Sequence, residues 1–128
     1  MLKNIYLLAS LIWTSSILVL CLEPFNDLPE VAIKNVDKYV HFTFHFVFVI
    51  IWSLYFNSKI AGKLVKFAKA IVIVSFLFGI LIELAQQFFT TTRKADIFDV
   101  YANTTGAIVA LMIIFVYNFA IKSNIKSQ

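Results

Sequence analysis

The stretch AIVIVSFLFGILIELAQQFF, residues 70–89, decides the fold. Wound as a helix at about 1.5 Å per residue, it is roughly 30 Å long, the thickness of a bilayer's hydrocarbon core. Its one ionisable group is Glu83. A carboxylate at that depth costs about 3 kcal/mol or more unless it is paired, hydrated or protonated. The stretch therefore predicts both a membrane-spanning helix and a specific environment for its acid.

The rest of the chain agrees. Its 128 residues are 61% hydrophobic, 16% aromatic and only 14% charged, too little polar surface to cover a soluble globule of that size. Besides the segment at about 68–89, apolar runs cover about 4–22, 39–56 and 100–121. The expected fold class is all-α: a polytopic membrane protein forming one compact bundle of four transmembrane helices. No repeat or composition shift divides the chain, so a single domain over 1–128 is expected. The longest connection, 23–38, carries Pro24 and Pro29 but is too short for a core of its own.

The first segment has Lys3 before an apolar run that ends near Cys21, the order of a secretory signal. No small-residue cleavage pattern follows, and Leu20 is too large for a lipoprotein-type site, so the segment is read as a spanning helix. Cys21 is the single cysteine, which rules out an internal disulfide.

Basic residues orient the bundle. Lys59, Lys63, Lys66 and Lys69 connect the second and third segments, Lys3 precedes the first, and Lys122 and Lys126 follow the fourth. On the other side Lys34, Lys38, Arg93 and Lys94 are diluted by Glu23, Asp27, Glu30, Asp37, Asp96 and Asp99. The positive-inside rule then places both termini in the cytoplasm of a multi-pass membrane protein. The net charge of +4 is read as topogenic, with lipid headgroups rather than nucleic acid as its partner.

Helical spacing sorts the polar residues. Asp37, His41 and His45 follow at four-residue steps, as do Gly79 and Glu83 with Gln86 or Gln87 close behind, while Asp96, Asp99, Asn103, Gly106 and Ala110 alternate steps of three and four. His45, Glu83 and Asn103 lie about seven, six and four residues inside the outer ends, or roughly 6–11 Å deep. Ser15 and Ser16 reach a similar level, so one polar layer drawing on all four segments is expected. Gly79, Gly106 and Ala110 are candidate close-packing positions.

The ordered run Asp37-Lys38-Tyr39-Val40-His41, then Glu83-Leu84-Ala85-Gln86, Arg93, Asp99, Asn103 and Gly106 resembles the signature of the VanZ-like family of small bacterial membrane proteins. The likeness covers residues 37 to 106. Thr91-Thr92 stand where the family often has Pro-Gly, and Ala110 where a second glycine is common. The resemblance implies a cell-envelope role. The family is named after a protein associated with resistance to teicoplanin, whose target is an outward-facing, lipid-linked cell-wall precursor.

The candidate functional cluster is thus Asp37, Lys38, His41, His45, Glu83, Gln86, Arg93, Asp96, Asp99 and Asn103. Arg93 and Lys94 suit a lipid phosphate or pyrophosphate; the plainer alternative has them reach the interface or pair with Asp96 and Asp99. Glu83 is either functional or paired structurally with His45, Asn103 or Gln86. His41 and His45 fit cross-helix hydrogen bonds, and metal ligation would need Glu83, Asp96 or Asp99 from elsewhere. The spacing assigns no metal to the cluster and leaves any cofactor unknown. Three function classes follow. The first is binding of a lipid or lipid-linked cell-wall precursor; the second is catalysis on such a substrate with Glu83 or His41 as acid or base. The third is a small structural subunit with membrane-protein partners. A transporter is disfavoured because the inner half of each segment offers no polar path.

Overall fold

In a computed structural model, residues 2–23, 36–91 and 94–126 are described, the last three without their side chains. Four helices carry the fold: α1 (Leu2–Leu22), α2 (Val36–Lys59), α3 (Leu64–Phe89) and α4 (Ile97–Lys126). All four are long and apolar enough to span a membrane. Aliphatic and aromatic side chains such as Leu8, Ile73, Leu81, Phe115 and Phe119 stay exposed along them. That suits a lipid environment, where such surface has no water to avoid.

The helices run past the apolar limits of their sequences. The second begins at Val36 rather than near residue 39, and the fourth at Ile97 rather than near 100. Apolarity stops at the first charges, whereas backbone hydrogen bonding does not. Asp37 and Asp99 each sit in a first turn, where a carboxylate complements the positive end of the helix dipole. Asp96 is the residue before α4 and caps it: its Oδ1 accepts the Phe98 N–H at 2.8 Å.

The turn from α2 to α3 is short. Gly62 takes a φ of 79° between α2 and α3, a left-handed conformation that a side chain disfavours. The Lys63 N–H then donates to Asn57 Oδ1 at 3.2 Å. At the far end of α3, Thr90 turns extended while its N–H returns to the Gln86 carbonyl at 3.2 Å.

Packing makes α2 and α3 a central pair, flanked by α1 on one side and α4 on the other; among the described residues α1 and α4 do not meet. Two indoles tie α1 to α2. Trp13 Nε1 donates to the Phe44 carbonyl at 3.0 Å and Trp52 Nε1 to Thr14 Oγ1 at 3.1 Å. Against α4, α2 comes so close that a Cβ at Gly106 would collide with the Phe42 carbonyl. Ala107 and Ala110 are buried in the same seam. Small residues here exchange side-chain volume for backbone contact, the usual route to tight helix pairs in lipid.

Candidate functional site

The C-terminal ends of α1 and α3 and the N-terminal ends of α2 and α4 gather at one end of the bundle. There His41, His45, Glu83, Gln86, Asp99 and Asn103 are all buried, none more than 7% exposed. Burial of so many polar groups costs free energy unless they meet one another, and most do.

Lys38 organises the rim. Its Nζ lies 2.8 Å from Asp37 Oδ2, 2.6 Å from Asp96 Oδ2 and 2.9 Å from Asp99 Oδ1. The contact to Asp99 is an ion pair outside hydrogen-bond geometry. One ammonium thus joins the first turn of α2 to the cap and first turn of α4. The Lys38 hydrogen bond holds the Asp96 carboxyl below its ordinary range.

Beneath the rim lies Glu83. Its Oε2 accepts the backbone N–H of Asp96 at 2.9 Å, so the buried acid of α3 holds the start of α4. His45, Asn103 and Gln86 were the expected partners; none of them bonds it. Gln86 Nε2 instead donates to the Cys21 carbonyl at 2.9 Å, docking the end of α1. Glu83 Oε1 is left without a hydrogen bond, facing His41 Nδ1 at 3.9 Å.

His41 is fixed from α4. Its Nδ1 donates to Asn103 Oδ1 at 3.1 Å, and its Nε2 lies 3.9 Å from Asp99 Oδ2. Gly79 makes room for this pair, since a Cβ there would stand 2.9 Å from Asn103 Nδ2. One level deeper, His45 Nδ1 pairs with Ser75 Oγ at 2.7 Å. The His45 Nε2 and Asn103 Nδ2 atoms are buried without a partner.

The sequence-expected cluster is therefore brought together from Asp37, Lys38, His41, Glu83, Asp96, Asp99 and Asn103, while beside it Gln86 bonds Cys21 and His45 bonds Ser75. Arg93 lies outside the described residues. Lys94 lines the same cavity as Asp37, His41, Gln86, Asp96 and Asp99, a space of about 210 Å³. The serines of α1 do not join. Ser16 bonds its own helix at the Ile12 carbonyl, and Ser15 is exposed, because equal depth does not mean the same helix face. Ser75, in contrast, continues the four-residue stripe of Gly79 and Glu83, a spacing that marks it in the sequence.

The VanZ/LLP1 family model matches residues 4–118, including every residue of this cluster. The chain belongs to the VanZ/LLP1 family. No curated protein and no solved structure matches it. In this VanZ/LLP1 chain the ordered D-K-x-x-H, E-x-x-Q and D-x-x-x-N-x-x-G pieces now have physical positions. The first supplies Lys38 and His41, the second Glu83 and the Gln86 latch on α1. The third supplies Asp99, Asn103 and the glycine that admits α2.

A second opening adjoins the first. Between α3 and α4 an apolar groove of about 660 Å³ is lined by Phe76, Ile80, Leu84, Ile97, Val100 and Tyr101 and ends at Glu83 and Asp96. Asp96 borders both the groove and the polar cavity.

Proposed function

We propose that this VanZ-like membrane protein binds a lipid or lipid-linked cell-wall intermediate and acts in the physiology of a bacterial envelope, including resistance to teicoplanin-type glycopeptides. The observation that carries the reading is the shared wall at Asp96, which puts an apolar groove and a polar cavity side by side. An amphiphile fits that pair of surfaces, with its chain between α3 and α4 and its headgroup among Asp37, Lys94, Asp96 and Asp99. Carboxylates there accept from hydroxyl and amide groups, the donors of a sugar–peptide headgroup, while Lys94 offers a cation to phosphate. The lysines at 59, 63, 66 and 69 support an outward-facing cavity by the positive-inside rule.

Two measurements test it. Native mass spectrometry of the purified protein should retain lipid, and Ile80→Trp, which fills the groove, should release it; equal retention by both would sink the binding reading. In a glycopeptide-sensitive bacterium the parent should raise the tolerated teicoplanin concentration, and Glu83→Gln at equal membrane abundance should not. A second reading, acid–base catalysis on the same ligand, draws on the 3.9 Å approach of Glu83 Oε1 to His41 Nδ1. It requires the bound lipid to be chemically changed after incubation.

A further inference from the structure

The deep end of the cluster has the composition of an ion site. His41, Glu83 and Asp99 come from three different helices, all three are buried, and one ligand atom from each lies within 4.8 Å of the other two. We propose that these three residues bind a divalent cation.

Three independent features point the same way. First, Glu83 Oε1 is a buried carboxylate oxygen with no hydrogen bond, on a side chain only 5% exposed, and it faces the imidazole. A group in that state costs free energy that a cation recovers. Second, the imidazole is set for ligation. Nδ1–H is committed to Asn103 Oδ1, which fixes the ring orientation and turns Nε2 toward Asp99, 3.9 Å from its Oδ2. Metal-bound histidines are ordinarily oriented in this way, by a carbonyl or carboxylate on the other ring nitrogen. Third, charge is in excess: among the described residues Asp37, Asp96 and Asp99 share the ammonium of Lys38, and Glu83 has no lysine within ion-pair distance, its ionic neighbour being the His41 imidazole at 3.9 Å. His41 and Asp99 both line the polar cavity, which supplies an entry path for a hydrated ion.

One imidazole and two carboxylates suit Mn2+ or Zn2+ and disfavour soft Cu(I). The neighbouring trio Asp37, Asp96 and Asp99 is also close enough to chelate, but Lys38 already occupies its centre. The inference departs from the sequence-level expectation of no metal, because sequence spacing alone did not bring carboxylates from α3 and α4 to one histidine. It does not rest on lipid binding: a bound ion and no lipid, or lipid and no ion, are separate outcomes.

The test uses the full-length, tag-free protein in phospholipid-free detergent, stripped with chelator and titrated with Mn2+. The expected result is a single bound ion whose pulsed electron paramagnetic resonance carries nitrogen modulation from an imidazole. His41→Gln should abolish that modulation, His45→Gln should keep it, and Asn103→Ala should weaken binding on the order of 10- to 100-fold by releasing the ring. No Mn2+ bound at millimolar concentration overturns the proposal. So does bound Mn2+ without nitrogen modulation, which assigns the ion to the aspartates of the rim. The parent spectrum alone decides this if His41→Gln fails to fold.

Discussion

Glu83 Oε2 accepts the backbone N–H of Asp96 at 2.9 Å, a bond from a buried acid in α3 to the capping residue of α4. Glu83→Ala removes the acceptor and leaves that N–H without its partner, at an expected cost of about 1–3 kcal/mol. Glu83→Gln keeps an oxygen there, so its loss should be clearly smaller. Thermal unfolding of the two variants in detergent distinguishes them; equal losses would mean that the bond contributes nothing.

Gly106 and Gly79 should differ in how they tolerate a methyl group. At Gly106 the added Cβ meets the Phe42 backbone, which cannot step aside without moving α2. Gly106→Ala is expected to cost about 1–3 kcal/mol. At Gly79 the nearest atom is the Asn103 amide, a side chain that can shift. Gly79→Ala should therefore spare much of the stability and instead disturb the Asn103–His41 bond, seen as a shifted His41 imidazole resonance.

Lys38→Met leaves Asp37, Asp96 and Asp99 without their common cation. The ammonium is partly exposed, so solvent screens some of the effect, and a loss of about 1–3 kcal/mol is expected, mostly from the buried Asp99. Lys38→Arg should recover part of it. Denaturant midpoints for the three proteins check the order.

Acid should loosen the start of α4. The Lys38 hydrogen bond holds the Asp96 carboxyl below its ordinary 3.8. The unfolded chain therefore takes up the proton first as pH falls. The stability contributed by this carboxylate is full above pH 3.8 and is lost as pH falls through the lowered folded-state value. A stability profile taken from about pH 6 down to about pH 3 should be flatter in Asp96→Asn than in the parent.

Much of this was readable from residue order, for reasons that show where such reading stops. Apolar length marks spanning helices, and four-residue steps put Asp37, His41 and His45 on one face. The family signature then brought Glu83, Asp99 and Asn103 into the same cluster. Partners were harder. Glu83 is bonded by a backbone N–H and Gln86 by a backbone carbonyl, and the main chain carries no residue-specific signal. Asp96 looked like one more member of a helical stripe, whereas it precedes α4 and caps it. Trp13 and Trp52 stand out by no spacing in the sequence, yet their indoles fasten α1 to α2. Which way a ring points depends on helix rotation, and hydropathy says nothing about that.

The Glu83–Asp96 bond also imposes an order on biosynthesis. The two residues are separated by 13 positions, about 0.7–2.6 s of ribosomal elongation at ~5–20 residues per second. During that interval the third segment carries its acid with no fourth helix to meet it. Gln86 differs, because Cys21, its acceptor, has already been made. The partner of Gln86 is thus present as soon as α3 is made, whereas the carboxylate waits for the residue that starts the last helix.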